Sequence, residues 1–148
     1  MLNAINTELE TKFRNTLPES VFPNASPRYL MEPRDMFQGH SGLLVAPETS
    51  EQVSHIVAQA NANLIGIIPY GGGTGLVGGQ VLDIKSTKIP APIILSLERI
   101  NGIRGSYPRE NIITVGAGMI LKDVRSKAEA MDLLFPLSLA SEGSAQIG

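Results

Sequence analysis

The sequence predicts a domain of the α+β class. Short apolar runs rich in β-branched residues, typical of strands, alternate with segments whose apolar residues recur at helical spacing. Two of the strand-like runs lead directly into glycine-rich loops, at residues 71–79 and 116–118. The chain has 148 residues, the length of one domain that buries about two thirds of its unfolded surface. One core, divided at most into two small lobes, is therefore expected.

The first part of the chain predicts a helix followed by an irregular arm. Thr7 and Glu10 have the spacing of a capping box, and several apolar residues fall near one helical face: Leu2, Ile5, Leu9 and Phe13. Prolines then exclude regular structure, except in short pieces, from Leu17 to about Arg34: Pro18, Pro23, Pro27 and Pro33. We expect residues 1–41 to form an N-terminal helix and a proline-rich arm, and residues 42–148 to form the main body of the fold.

A compact βαβ unit is expected between Leu43 and Ile68. Leu43 to Ala46 forms a short strand, and Thr49 caps a helix, with Gln52 three residues later. The apolar residues of this helix share one face: Val53, Ile56, Val57 and Ala60. Leu64 to Ile68 forms the next strand. The first glycine-rich loop therefore follows the carboxyl end of a strand, where ligands bind in open α/β sheets.

Further strands and one amphipathic helix are predicted after this loop. Ile93 to Leu97 and Ile112 to Val115 are predicted strands, with turns around Asn101-Gly102 and between Tyr107 and Asn111. A helix follows residues 116–118, because apolar residues again recur at helical spacing among charged ones: Leu121, Val124, Ala128 and Met131.

The loop from Gly71 to Gly79 is the strongest functional signal in the sequence. Six of its nine residues are glycine, although glycine inside a helix or strand costs about 0.5–1 kcal/mol relative to alanine. Glycines let successive backbone amides turn toward one centre and form a nest of N–H donors for phosphate oxygens. A flexible turn between two strands is the alternative, although hairpin loops use only about two to five residues. The loop predicts a phosphate-bearing cofactor.

Two common nucleotide-binding motifs do not fit this loop. Residues 73–78 match the G-x-G-x-x-G pattern, but residues 79–92 contain two prolines and no apolar face at helical spacing, which excludes the Rossmann helix. The P-loop needs a lysine after its last glycine, and residues 63–84 contain neither lysine nor arginine. If the loop binds phosphate, it does so with backbone dipoles.

Composition argues against several classes of partner and site. The net charge of −2, the pI near 5.7 and the scattered basic residues argue against a nucleic-acid partner. The absence of cysteine excludes a disulfide framework and a thiolate metal site. The first ten residues lack the blocks of a signal peptide, and no apolar stretch approaches the roughly 20 residues that span a bilayer. We therefore expect a soluble cytoplasmic protein without a transmembrane segment.

Three segments, in this order, resemble one known family. They are Pro-Tyr-Gly-Gly-Gly-Thr-Gly-Leu-Val-Gly-Gly at residues 69–79, Val-Gly-Ala-Gly at 115–118, and Phe-Pro-Leu-Ser-Leu-Ala-Ser-Glu-Gly-Ser-Ala-Gln-Ile-Gly at 135–148. From about residue 42 onward, the sequence resembles the FAD-binding domain of FAD-linked oxidases of the vanillyl-alcohol-oxidase type, also called PCMH-type. Residues 136–148 are most similar to the branch that contains D-lactate, glycolate and D-2-hydroxyglutarate dehydrogenases.

The resemblance implies the first lobe of a two-lobed α+β domain that holds FAD between its lobes. It implies pyrophosphate contacts from the glycine loop: Tyr70, Gly71, Gly72, Gly73, Thr74, Gly75, Leu76, Gly78, Gly79 and Gln80. It implies contacts nearer the ribityl and isoalloxazine parts from the last segment: Pro136, Leu137, Ser138, Gly143, Ser144, Gln146, Ile147 and Gly148. Covalent attachment in this family often uses a histidine in the glycine loop, so its absence here implies non-covalent FAD.

The family pattern continues beyond the last residue, so the chain resembles an amino-terminal fragment. The resemblance implies an oxidoreductase that moves a hydride from a 2-hydroxy acid to flavin and forms the 2-oxo acid. In relatives the base, the carboxylate-binding cations and any metal belong to the missing part, so we assign no catalytic or metal-binding residue and expect an inactive chain. Two alternatives stay open: a non-catalytic module for FAD or another dinucleotide, and a structural fragment with an empty site. We also expect self-association, because no second lobe covers the apolar residues of the glycine loop and of residues 135–148.

Several polar residues have simpler interpretations. His55 falls opposite the apolar face of its helix and is expected to be solvated, and His40 is expected to be an exposed loop histidine. Ser144 lacks the second glycine of a hydrolase nucleophile elbow. Solvated or turn-capping roles are expected for Asp83 and Glu98. The two arginines of the arm could meet an anion, but surface solubility explains them as well: Arg28 and Arg34.

Overall fold

The computed structural model describes residues 1–24, 26–85 and 88–148. Ala25 of the arm and Ser86-Thr87 of the segment after the glycine loop lie outside the described residues. The α+β class is confirmed, and the described residues form three helices: α1 (Thr7–Thr16), α2 (Ser50–Ala62) and α3 (Leu121–Glu129). They form five strands: β1 (Leu43–Val45), β2 (Ile67–Tyr70), β3 (Ile93–Ser96), β4 (Ile103–Tyr107) and β5 (Ile112–Val115). Short 3₁₀ turns lie at Glu19–Val21, Pro27–Leu30 and Pro108–Glu110.

Helix α1 is capped by a residue that the sequence did not indicate. The Asn6 side chain accepts a hydrogen bond from the Leu9 amide at 2.8 Å, so the prediction of a capping box with Thr7 is wrong. Asparagine caps a helix at least as well as threonine does. The Glu10 carboxylate instead pairs with Arg14 at 3.0 Å, one turn further along the helix.

The arm packs in the same core as the sheet. It contains two short 3₁₀ turns, as its prolines predict, and the Val21 carbonyl accepts a hydrogen bond from the Ala46 amide at 2.8 Å. Residues of α1, the arm, α2 and the sheet form one buried cluster: Leu9, Phe13, Leu17, Val21, Leu43, Val45, Ile56, Ala60, Ile65, Ile93 and Leu95. Leu2 and Ile5 precede α1, and Leu2 is exposed. The division between residues 41 and 42 stays a prediction.

Strands β1, β3 and β2 form a parallel sheet in that order. Leu43 and Ile67 both pair with Ile93, from opposite sides. All four residues of β3 are buried, because a central parallel strand is covered on both faces. The predicted βαβ unit is confirmed, because β1 and β2 are parallel and connected through α2, and β3 lies between them in the sheet.

Strand β2 starts three residues later than predicted. Leu64 has a φ of +56° and is 53% exposed, because the chain is still turning out of α2 at this residue. The strand instead includes Pro69, which is tolerated because β2 is an edge strand. As predicted, the strand delivers the chain directly into the glycine loop, because Tyr70 is its last residue.

Helix α2 and its cap are confirmed. The Thr49 hydroxyl accepts a hydrogen bond from the Gln52 amide at 3.2 Å. The Gln52 side chain completes the turn by accepting from the Glu48 amide at 2.7 Å. Val57 was predicted on the apolar face but is 42% exposed. The buried face of α2 is therefore narrower than the face on which its apolar residues lie.

An antiparallel hairpin of β4 and β5 precedes α3. The sequence predicts the turns on both sides of β4 but not β4 itself, since Gly105 and Ser106 weaken its strand pattern. The hairpin is largely exposed, and Tyr107 and Ile112 are each 53% exposed. The predicted helix α3 is confirmed, and it buries most of its predicted apolar face: Leu121, Val124 and Ala128.

Candidate functional site

A cleft of about 890 Å³ lies at the carboxyl ends of β2 and β3. Five parts of the chain form its wall: the arm, the start of the glycine loop, residues 98–101 after β3, residues 118–123 and residues 143–146. Seven of the residues that the resemblance implied line it: Tyr70, Gly71, Gly72, Gly73, Gly143, Ser144 and Gln146. The structure therefore brings the two separated motifs of the sequence into one site.

The remaining implied contacts do not line this cleft. They lie further along the glycine loop or elsewhere in the last segment: Thr74, Gly75, Leu76, Gly78, Gly79, Gln80, Pro136, Leu137, Ser138, Ile147 and Gly148. Gln80 is buried, and its side-chain amide donates a hydrogen bond to the Gly75 carbonyl at 2.7 Å. Gln80 therefore stabilises the conformation of the glycine loop. Whether these residues touch the cofactor stays a prediction.

Close backbone contact explains the glycines at the start of the loop. A Cβ on Gly72 would lie 1.9 Å from the Ser144 carbonyl oxygen, and a Cβ on Gly71 would lie 3.0 Å from the Gly148 carbonyl oxygen. Gly73 has a φ of +68°, a left-handed conformation that favours glycine. The loop and the last segment therefore meet backbone to backbone.

The amides of the glycine loop are free to bind a ligand. Among the described residues, none of the amides from Gly71 to Gly79 donates a hydrogen bond to a protein acceptor. Backbone amides in a folded protein are normally paired with protein, water or ligand. Unpaired amides on a glycine-rich turn at a cleft form a donor nest for an anion.

The last segment lies between the glycine loop and the chain that leads into α3. It runs antiparallel to residues 117–121, with hydrogen bonds from Leu121 to Ala145 at 2.9 Å and from Gly148 to Ala117 at 2.8 Å. Gln146 lines the cleft, and its side-chain oxygen is buried without a hydrogen-bond partner among the described residues. This oxygen is an acceptor that a bound ligand can satisfy.

Charged side chains of the arm and of the segment after β3 interact at the cleft wall. Arg28 pairs with Glu98 at 2.7 Å, and the Tyr29 hydroxyl donates to Glu98 at 2.6 Å. Burial, followed by the hydrogen bond to Glu98, raises the pKa of the Tyr29 phenol, so it stays a neutral donor at physiological pH. The prediction that Glu98 is solvated or caps a turn is wrong, because packing brings the arm against it.

A second carboxylate organises the arm itself. Glu32 is 3% exposed and accepts hydrogen bonds from the amides of Arg34 at 2.9 Å and Met36 at 2.5 Å. Burial favours its neutral form, but hydrogen bonds from the amides of Arg34, Met36 and Phe37 outweigh burial and lower the pKa of Glu32. Glu32 lines the cleft as an ionised loop-capping residue.

The other polar candidates lie outside the cleft. His55 is half-buried rather than solvated, because it contacts the Thr16 hydroxyl at 3.0 Å and the edge of Phe13. His40 does not line the cleft, and it is half-buried rather than exposed, with its Nδ1 buried and without a hydrogen-bond partner among the described residues. Asp83 accepts from the Lys85 amide at 3.0 Å, which confirms its turn-capping role. The described residues contain no group of three or more metal-ligating side chains.

Sequence reasoning missed the part of the cleft that the arm builds. Arg28 had no partner within reach in sequence, and Glu98, its partner, lies 70 positions later. The Val-Gly-Ala-Gly motif at residues 115–118, in contrast, could have indicated part of the cleft wall. A Cβ on Gly118, which lines the cleft, would lie 2.2 Å from the Leu97 carbonyl oxygen, so this glycine permits close packing of the wall.

These features fit the diphosphate part of FAD. The glycine loop has successive amides without a protein acceptor, and the Gly72 backbone lies so close to Ser144 that a Cβ would not fit. Gln146 adds an acceptor oxygen without a hydrogen-bond partner among the described residues. A diphosphate needs several donors that converge, and a flavin ring presents an N–H for which an acceptor is needed. The residues present therefore match the chemistry of the cofactor that the resemblance implied.

Comparisons with known proteins agree with the site. A family model described as an FAD binding domain matches residues 42–148. The mitochondrial D-2-hydroxyglutarate dehydrogenase of Danio rerio is 36% identical over 111 residues, 75% of this chain and 20% of that protein. A putative mitochondrial D-lactate dehydrogenase of Schizosaccharomyces pombe is 33% identical over 112 residues, 76% of this chain and 20% of that protein. The chain spans about a fifth of the length of these relatives.

Solved structures show the same fold. An alkyldihydroxyacetonephosphate synthase matches 99% of this chain and 29% of its own length, with a TM-score of 0.83 and 16% sequence identity. A cholesterol oxidase variant of Brevibacterium sterolicum matches 80% of this chain and 22% of its own, with a TM-score of 0.61 and 20% identity.

The expectation of a cytoplasmic protein is wrong, because these curated relatives are named as mitochondrial enzymes. That expectation depended on the lack of secretory and membrane-spanning patterns, which does not distinguish one aqueous compartment from another. Among the described residues, no helix has the length and apolar character to cross a membrane. The sequence match and the shared fold confirm the resemblance: the chain belongs to the FAD-binding domain family, whose cofactor is FAD.

Proposed function

We propose that this chain is the FAD-binding lobe of a flavin-dependent D-2-hydroxyacid dehydrogenase. One observation carries the cofactor part of this proposal: Gly71 to Gly73 line the cleft, and their amides donate to no protein acceptor among the described residues. The named activities of the curated relatives, which act on D-2-hydroxyglutarate and D-lactate, support the substrate class.

In this proposal the amides of the loop bind the FAD pyrophosphate. The cleft favours amide donors over cations, since its described lining has one cation, Arg28, which is already paired with Glu98. Several carboxylates share the same wall: Glu32, Asp35, Glu98 and Asp123. Backbone dipoles bind a diphosphate without adding a buried charge, and the glycines allow them to approach it closely.

The last segment would bind the flavin end of the cofactor. Gln146, whose side-chain oxygen is buried without a hydrogen-bond partner among the described residues, lines the cleft together with Ser144 and Gly143. The glycine loop contains no histidine that could form a covalent bond to flavin, so we propose non-covalent FAD. Bound flavin would supply the hydride acceptor for oxidation of a hydroxy acid.

Substrate binding would need groups that the described cleft does not offer. A hydroxy acid needs a cation for its carboxylate and a base for its hydroxyl proton. We therefore propose that this chain holds the cofactor, and that the regions of the relatives beyond the covered fifth contain the substrate-binding and proton-accepting groups. The 148-residue chain by itself should bind FAD without turning over a hydroxy acid.

Ligand competition tests the cofactor part. FAD fluorescence is measured as the 148-residue chain is added, and ADP, adenosine and riboflavin are then added as competitors. The nest predicts that ADP displaces FAD far better than adenosine, because only ADP carries the diphosphate. Equal competition by adenosine and ADP, or no FAD binding at all, would disprove the proposed site.

Flavin reduction in the complete protein that contains this domain tests the activity. We expect D-2-hydroxyglutarate or D-lactate to bleach the bound flavin, with glycolate as a third candidate and L-2-hydroxyglutarate as the inactive control. Flavin that stays oxidised with every D-2-hydroxy acid would favour a non-catalytic binding module. A complete protein purified without flavin, and unable to take it up, would favour a structural role.

A further inference from the structure

The end of β2 is tied to the arm by a buried tyrosine. The Tyr70 side chain is 4% exposed, and its hydroxyl donates to the Arg28 carbonyl oxygen at 2.8 Å. Its ring also packs edge to face against Tyr29, with 4.9 Å between the ring centroids. Arg28 and Tyr29 precede residues 42–148, the part matched by the FAD-binding family model.

The glycine loop folds directly over this ring. A Cβ on Gly73 would lie 2.2 Å from the Tyr70 hydroxyl oxygen, so the loop backbone touches the end of the ring that the arm binds. The position of the ring therefore limits where the backbone of Gly73 can lie. Gly71 to Gly73 line the cleft, and their amides donate to no protein acceptor among the described residues.

Tyr29 is itself held from the far side by the segment after β3. Its hydroxyl donates to one oxygen of Glu98 at 2.6 Å, while Arg28 donates to the other oxygen at 2.7 Å. Burial raises the pKa of the Tyr29 phenol and of the Tyr70 phenol, so both keep the protons that they donate. An unbroken chain of contacts thus runs from Glu98 through Tyr29 and Tyr70 to the glycine loop.

We propose that Tyr29 and Glu98 are positioning residues of the cofactor site. They fix the Tyr70 ring against the arm, and the ring holds the amides of Gly71 to Gly73 in the arrangement that receives the diphosphate. This inference rests on the proposed function. It assigns the arm, which lies outside the matched domain, a direct effect on the affinity for FAD.

Conservative variants separate positioning from general stability. Tyr70→Phe keeps the ring and removes the hydrogen bond to the arm, and Tyr29→Phe keeps its ring and removes the hydrogen bond to Glu98. The loss of one hydrogen bond should weaken FAD binding about fivefold in each variant. Tyr29→Phe leaves the Glu98 carboxylate paired with Arg28, so the charge of the cleft wall does not change. Tyr107→Phe is the matched control, on an exposed tyrosine outside the cleft.

A second measurement does not depend on FAD. Amide NMR shifts of Gly71 to Gly73 are compared between the cofactor-free wild type and each variant, together with melting temperatures. We expect shifts at these glycines in Tyr70→Phe and Tyr29→Phe, and none in Tyr107→Phe. If Tyr70→Phe does not fold, Tyr29→Phe decides the result by itself, because it retains the Tyr29 ring that packs against Tyr70.

The outcomes separate this inference from the proposed function. Unchanged glycine shifts in Tyr29→Phe, or changed shifts with unaltered FAD affinity, would overturn the positioning role. A wild-type chain that does not bind FAD would overturn the proposed function. In that case the glycine shifts still decide whether the arm positions the loop.

Discussion

Replacing Gly72 with alanine tests the glycine loop at its closest backbone contact. An added Cβ would lie 1.9 Å from the carbonyl oxygen of Ser144 and 2.8 Å from its carbonyl carbon. Both are backbone atoms, so no side-chain rotation can relieve the clash. Raising the closest distance from 1.9 Å to 3.0 Å requires the two backbones to separate by about 1.1 Å.

Neither side of this contact moves freely. The last segment is hydrogen-bonded to residues 117–121 through Ala145, Ile147 and Gly148. The loop is held by Tyr70. Overpacking of this kind costs about 1–3 kcal/mol, and a loss of about 2 kcal/mol lowers the melting temperature of a chain of this size by about 4–8 °C. FAD affinity should fall at least about tenfold, because displaced amides no longer converge on the diphosphate.

Thermal melting and FAD titration of Gly72→Ala check this prediction, with Gly102→Ala as the control variant. Gly102 lies in a turn outside the cleft, and a Cβ there would meet nothing within 4 Å. The control should melt and bind FAD as the wild type does. If Gly72→Ala behaves like the control in both measurements, the backbone contact between Gly72 and Ser144 does not exclude a Cβ and does not shape the site.

Three further predictions concern the core, the arm and the surface. Phe13→Ala should cost about 3–5 kcal/mol in denaturant unfolding, because Phe13 is fully buried, whereas exposed Leu2→Ala should cost less than about 0.5 kcal/mol. The folded-state pKa of Glu32 is lowered, so its stabilisation is present above the ordinary glutamate pKa of about 4.3 and is lost as the pH falls through the folded value. Melting curves of Glu32→Gln should therefore lose part of this acid dependence, and an unaltered acid profile would contradict the prediction. Light scattering should show self-association that Val77→Ser reduces, because Val77 is 87% exposed; a wild-type monomer at all concentrations would exclude it.

Local sequence signals predicted most elements of the fold. The cap of α2 by Thr49 and the buried face of α3 depend on residues within one or two helical turns, so their spacing is visible in the sequence. The same holds for β3, whose unbroken apolar run suits a strand covered on both faces. The start of β2 was misplaced because Leu64 is apolar but belongs to the turn that ends α2.

The sequence by itself determined the helices, most strands and a glycine loop suited to phosphate, because each depends on near neighbours and on the absence of Cβ atoms. Only the tertiary structure decided that β3 lies between β1 and β2, and that the loop meets Ser144. Only packing brought Arg28 and Tyr29 to Glu98, across 70 and 69 positions. Such contacts depend on how complete elements pack, and no local pattern of residues encodes the distance between two distant segments.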